Sequence, residues 1–274
     1  MLKRLCMIFV FSISAISGTA QETRRLAPLI NALQLHPLLE VMYEEGVEYG
    51  NDLDRELLAG AGGEGWVKAV KEIYEPERIW KTFLPRFQAE LENEDVEAML
   101  AFFTSDLGQR IIKLEVSARQ ALLDKSVEEA SKDRLRVMAD DGDPRLSMLM
   151  DFIEANDLIE FNVMSAMNAN YAFYVGMIDG KAFDYDLTKE DVLQDVWSQE
   201  SEIRVDTEEW VYAYLALSYQ PLSDDELQAY IDFSNTDAGQ ALNRAVFAGF
   251  DDVFNIVSTA LGLTAARFMK GEDL

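Results

Sequence analysis

The sequence has one cysteine and one histidine in 274 residues, and both counts restrict its chemistry. Cys6 lies in the N-terminal apolar segment, so a chain without that segment has no thiol for a disulfide bond or a nucleophile. With His36 as the only imidazole, thiol–imidazole catalysis is excluded. The sequence also lacks a glycine-rich phosphate loop, a His-Glu-x-x-His motif and zinc-ligand spacing. We therefore assign no catalytic, cofactor-binding or metal-binding residue and expect no cofactor.

Positive charge is scarce as well. Lys and Arg total 24 against 50 Asp and Glu, which gives a formal net charge of −26. Such a surface repels phosphate backbones and anionic lipid headgroups, so we expect no nucleic-acid partner. The acidic residues are spread along the chain, as is typical of a solvated protein surface.

Sustained apolar–polar alternation, the pattern of a β-strand, is also missing. Helical periodicity follows Gln21 instead, and the six prolines stand where helices can begin or end. The sequence therefore predicts an all-α protein. The apolar stretch Val253–Met269 is interrupted by Asn255 and Arg267, which favours a buried helix over a membrane span; a surface for an apolar partner is the alternative.

The N-terminus has the pattern of a secretory signal peptide. Lys3 and Arg4 precede an apolar run over residues 5–16, and small residues follow as far as Ala20. The run is too short to span a bilayer. We predict cleavage after Ala20 and a periplasmic or secreted protein with no integral membrane span.

Two stretches of the chain, AFFTSDLGQR and DFSNTDAGQA, share the pattern Phe-x-x-x-Asp-x-Gly-Gln at a distance of 131 residues. They indicate an internal repeat. The residues of the repeated motif are Phe102, Ser105, Asp106, Gly108 and Gln109 in the first copy and Phe233, Thr236, Asp237, Gly239 and Gln240 in the second.

The motif is interpreted as a structural elbow between two helices. Ser105 and Thr236 fit N-cap positions, and the aspartate that follows each of them suits the positive end of the helix dipole. Gly108 would allow the preceding helix to approach closely, and Gln109 would bond the open carbonyls at its end. Gly239 and Gln240 have the same roles in the second copy.

The breaker sequence ADDGDPR divides the chain into two halves. We predict a signal peptide over 1–20, a first helical repeat over 21–139, a linker over 140–145 and a second repeat over 146–274. The predicted fold is a duplicated helical module, a pseudo-twofold bundle with two long helices, from Asp106 to about Ala139 and from Asp237 to about Lys270. A weaker match aligns LHPLLE with ANDLIE and places His36 and Asn156 as helix caps.

The order WVKAVKEIYEPERIW, then EDVEAMLAFFTSDLGQR, resembles the DUF2059 family of exported bacterial domains of unknown function, here in two divergent copies. The family signature is similar to an aromatic-x-Ser-Pro-x-Gly-Gln-Lys elbow. In this chain Asp106 and Asp237 stand at the proline position, and Arg110 and Ala241 replace the lysine. The resemblance implies an exported helical protein and assigns no activity to any residue.

These observations favour a non-enzymatic binding or interaction module of the cell envelope, which binds an envelope protein or an apolar ligand in a groove between the halves. One alternative is a carboxylate-dependent hydrolase with a cleft between the repeats. The other is an envelope structural or stress factor without a small ligand. The sequence leaves enzymatic activity and oligomeric state open.

A calcium loop was also considered for DYDLTKEDVLQD. Asp184, Asp186 and Asp195 fit three ligand positions, but Lys189 stands where such a loop needs glycine. Thr188 followed by an acidic residue three positions later predicts a capping box. No metal is therefore predicted.

Overall fold

The computed structural model describes residues 24–271, and within this range the chain consists of helices joined by short turns, with no strand. The predicted all-α class is confirmed. The signal-peptide prediction for 1–20 lies outside the described residues. A helical segment, α1, covers 24–32, and the remaining helices are α2 Leu35–Leu57, α3 Gly63–Ile73, α4 Pro76–Glu90, α5 Val96–Phe103, α6 Asp106–Ala121, α7 Lys125–Asp140, α8 Pro144–Ala155, α9 Leu158–Asp179, α10 Lys189–Ser198, α11 Glu200–Ser218, α12 Asp224–Ser234 and α13 Asp237–Met269.

Many of the helices begin at polar side chains that satisfy free backbone N–H groups. Thr188 and Ser223 each form a complete capping box with the acidic residue three positions later, Asp191 and Glu226. Pro144 occupies the first position of α8, where its missing N–H is not needed. The DYDLTKED segment thus uses its acidic residues to start α10.

The predicted long helix of the first half is wrong. The chain leaves the helical conformation at Leu122–Asp124, between α6 and α7. The Asp124 carboxylate accepts hydrogen bonds from the Ser126 N–H at 2.8 Å and the Ser126 hydroxyl at 2.7 Å, and so begins a new helix. In the second half α13 runs unbroken, as predicted. Asn255, 131 residues after Asp124, donates within the helix to Asp251 at 3.1 Å.

The predicted caps at His36 and Asn156 are also wrong. The residues before α2 and α9 are Gln34 and Asp157, both left-handed with φ of 50°. These equivalent turns lie 123 residues apart, so the alignment of LHPLLE with ANDLIE is displaced by three positions. His36 lies inside α2, and Asn156 instead ends α8, where its amide bonds a carbonyl of the preceding turn.

One apolar core runs through both halves of the described chain. α13 packs along α9 and across onto α4, while α7 of the first half packs onto α11 of the second. Since the sequence aligns α4 with α11, each half covers the equivalent helix of the other. The two-repeat organisation and its boundaries remain predictions. The turn between the halves contains Gly142, with φ of 63°.

The crossing of α9 and α13 brings two backbones into contact. A Cβ atom on Gly176 would collide with the Thr259 carbonyl oxygen, and one on Gly262 would collide with the Phe173 carbonyl oxygen. Because neither backbone atom can move without shifting a whole helix, only glycine fits at these positions. The close crossing fixes α9 and α13 as one wall of the space between the halves.

Among the described helices, α13 alone has the length and composition to cross a membrane. In the fold it lies against α9 and α4, and Ala245, Leu261 and Ala265 on it are fully buried. Core helices of soluble proteins share this composition. The packing therefore agrees with the predicted burial of its C-terminal half.

Candidate functional site

The first copy of the repeated motif joins α5 to α6. Ser105 Oγ accepts a hydrogen bond from the Gly108 N–H at 3.0 Å, and Asp106 is the first residue of α6. A Cβ atom on Gly108 would collide with the Phe102 carbonyl oxygen at the end of α5. Gln109 donates to the Phe103 carbonyl at 2.6 Å, and also to Ala32 at 2.9 Å. The glutamine thus links the ends of α5 and α1 to the start of α6.

The second copy has the same geometry between α12 and α13. Thr236 Oγ1 accepts from the Gly239 N–H at 3.0 Å, and a Cβ atom on Gly239 would collide with the Phe233 carbonyl oxygen. Gln240 donates to the Ser234 carbonyl at 2.8 Å and to the Ala155 carbonyl at the end of α8. The hydroxyl and amide groups of both copies are therefore occupied by helix ends.

The two copies meet in space. The rings of Phe102 and Phe233 stack with centroids 4.2 Å apart and planes 13° from parallel, and Tyr230 stacks on Phe102 at 5.6 Å. Arg110, which follows the first motif, forms an ion pair with Glu226 of α12. The residues singled out in the sequence thus form one aromatic contact between the halves. Their geometry is that of a joint, without a cleft between them.

A pocket of about 250 Å³ lies elsewhere along the junction of the halves. Its walls come from α2 and α6 of the first half and from α9, α11 and α13 of the second. Most of its lining is aliphatic or aromatic, including Leu38, Leu158, Trp210, Tyr214, Val246 and Phe250. The rings of Trp210 and Tyr214 are nearly parallel, with centroids 5.3 Å apart.

Arg119 is the one charged residue that lines this pocket within the described chain; Asn162 and Ser165 add neutral polar groups. Its Nε and Nη2 atoms donate to the two carboxylate oxygens of Glu45 at 2.7 and 2.8 Å. Burial alone would lower the pKa of Arg119, but the hydrogen bonds and charge of Glu45 raise it. The pocket thus holds a permanent cation whose charge is balanced by Glu45.

A partly buried acid lies one helical turn before Arg119. Tyr219 donates its hydroxyl proton to Glu115 Oε1 at 2.7 Å, and Tyr214 donates to the Glu115 backbone carbonyl at 3.2 Å. Burial raises the pKa of Glu115 to about 7, although hydrogen bonds from Tyr219 and Tyr230 favour the ionised form. Glu115 is therefore an acid that changes charge near neutral pH. Tyr214 belongs both to this cluster and to the pocket wall.

Carboxylate-dependent hydrolysis needs two carboxyl groups in one cleft. The described residues that line the pocket include no carboxylate, and Glu115 contacts tyrosines. No group of three or more His, Cys, Asp or Glu residues within 24–271 is arranged to hold a metal ion. His36 packs its ring on Trp80 with centroids 4.4 Å apart.

Sequence reasoning missed Glu45, Glu115 and Arg119. In the sequence, Glu115 and Arg119 have the spacing of an exposed i,i+4 ion pair on one helix. Arg119 instead reaches Glu45 on α2, and Tyr219 takes the Glu115 carboxylate. The only available signal was an acid four residues before a base, which is common on solvated helices.

The geometry defines a helical protein with an apolar pocket at the junction of its halves. Residues 77–136 match the model of a family described as "Uncharacterized protein conserved in bacteria (DUF2059)". The match covers most of α4 to α7, including the first copy of the motif, so the resemblance predicted from the sequence is confirmed for this segment; a second copy remains a prediction. No curated protein and no solved structure matches the chain.

Proposed function

We propose that the protein is an exported, non-enzymatic binding module of the bacterial cell envelope that takes a small apolar ligand into the pocket between its halves. The observation that carries this proposal is the pocket itself, since both halves contribute walls to an apolar space with few polar groups. Pockets with this distribution of groups are the usual form of small-molecule sites. Export is supported by the signal-peptide pattern before Gln21.

The volume of the pocket limits the ligand. A 150 Å³ apolar cavity can hold benzene, so about 250 Å³ has room for roughly ten non-hydrogen atoms. Ligands of that size bind with roughly −4 to −8 kcal/mol, which corresponds to dissociation constants from about millimolar to micromolar. The ligand is therefore much smaller than a membrane lipid with long acyl chains.

Filling the pocket with a side chain tests the proposal. Propylbenzene is expected to raise the melting temperature of the unmodified protein, and Val246→Phe, which adds a ring to the pocket wall, should abolish this rise. Val137→Phe is the matched control, because Val137 is 57% exposed on α7 and outside the pocket. Absence of a shift in the unmodified protein, or an equal shift in the Val246→Phe variant, would contradict binding in this pocket.

A further inference from the structure

The polar end of the pocket suggests which apolar molecule it takes, an inference that depends on the proposed function. A guanidinium group has five N–H donors. Glu45 occupies Nε and one proton of Nη2 of Arg119, and Nη1 makes no hydrogen bond within the described chain. Since no fully buried side-chain nitrogen or oxygen there lacks a partner, Nη1 is accessible to water or to a ligand. The pocket therefore offers hydrogen-bond donors that an oxygen acceptor can use.

The charge around these donors disfavours an anion. Both oxygens of Glu45 lie against the guanidinium group, so the pair is close to neutral, and an arriving carboxylate would meet the Glu45 carboxylate at short range. The formal net charge of −26 adds long-range repulsion. A neutral carbonyl oxygen accepts the same hydrogen bond without this repulsion.

We propose that the ligand is an uncharged, mainly apolar molecule with one oxygen acceptor, such as a ketone, ester or amide carbonyl. The oxygen accepts a hydrogen bond from Arg119 Nη1, and the apolar part packs against Trp210, Tyr214 and Phe250. In this arrangement Glu45 holds the guanidinium group in place and acts as a filter against carboxylates. The site thus selects by headgroup charge as well as by size.

Three probes of nine non-hydrogen atoms separate these contributions: propylbenzene has no acceptor, acetophenone has a neutral carbonyl, and benzoate has a carboxylate. Dissociation constants are measured by calorimetry on the mature protein. Acetophenone is expected to bind about tenfold more tightly than propylbenzene, as one hydrogen bond to a charged donor implies, and benzoate is expected to bind most weakly.

Two variants assign the difference to Arg119. In Arg119→Met the advantage of acetophenone over propylbenzene should disappear, while propylbenzene still binds, which also shows that the pocket is folded. In Glu45→Gln the affinity for benzoate should rise about tenfold, with little change for acetophenone. Thermal melting of both variants verifies that they are folded.

The possible results separate the two proposals. Failure of all three probes to bind the unmodified protein overturns the proposed function. Equal affinity for propylbenzene and acetophenone leaves an apolar pocket but overturns the role of Arg119. Tightest binding of benzoate would show that a ligand carboxylate displaces Glu45, and it overturns the selection for uncharged ligands.

Discussion

The partly buried Glu115 gives the structure a measurable pH dependence that one substitution should remove. Its pKa is about 7 in the folded protein, against 4.5 for an unperturbed glutamate. Between these values the folded protein retains a proton that the unfolded chain releases. The free energy of unfolding therefore falls as the pH rises from about 4.5 to about 7, and the contribution is constant outside that range.

The size of the effect follows from the shift. One pKa unit corresponds to 1.36 kcal/mol, so ionised Glu115 costs the folded state roughly 3 kcal/mol relative to protonated Glu115. Glu115→Gln keeps a carbonyl that can accept the Tyr219 hydroxyl proton and has no charge at any pH. The variant should match the unmodified protein near pH 4.5 and be more stable by roughly 3 kcal/mol at pH 8.

Urea denaturation followed by circular dichroism at pH 4.5 and pH 8 measures both free energies. All other acidic residues titrate in both proteins, so the difference between them isolates Glu115. Glu129→Gln on the exposed face of α7 is the matched control and should show a difference independent of pH. A difference for Glu115→Gln that is flat with pH, or that favours the unmodified protein at pH 8, would refute the assigned burial; it would mean that the tyrosines stabilise an ionised carboxylate.

Three further predictions concern stability and export. Gly108→Ala should lower the free energy of unfolding by roughly 1–3 kcal/mol despite the better helix propensity of alanine, because the added Cβ meets backbone at Phe102; unchanged stability with lost ligand binding would instead make the motif part of the site. Asp124→Ala should cost about 1 kcal/mol in urea denaturation through loss of the α7 cap, and an unchanged midpoint would contradict that role. Mass spectrometry of the protein from a periplasmic fraction should find Gln21 as the first residue, and retention of residues 1–20 would refute cleavage after Ala20.

Local features of the fold were predictable from the sequence. Thr188 and Ser223 mark the starts of α10 and α12 because a hydroxyl followed by an acid three residues later satisfies backbone groups within one turn. The elbow around Gly108 was predictable for the same reason, since each of its contacts lies within a few residues, except the bond from Gln109 to Ala32. Such patterns depend little on the rest of the protein.

The features that sequence reasoning missed depend on tertiary packing. Whether Asp124 continues a helix or caps a new one cannot be decided from propensity, because aspartate is tolerated in both positions. The pairing of Arg119 with Glu45 joins residues 74 positions apart, and the burial of Glu115 results from α11 and α12 covering that face of α6. The candidate site was therefore less predictable than the fold class.

The pocket also indicates how the two halves divide the proposed function. Its charged group, Arg119, comes from α6 in the segment that matches the bacterial family, whereas most of its apolar wall comes from α9, α11 and α13. Neither half alone surrounds the space. Tyr214 connects the two contributions, because its ring lines the pocket and its hydroxyl donates to the Glu115 carbonyl on α6. Divergence of the second half therefore supplied the aromatic wall for a polar group that the first half already held, and ligand binding requires both halves in one chain.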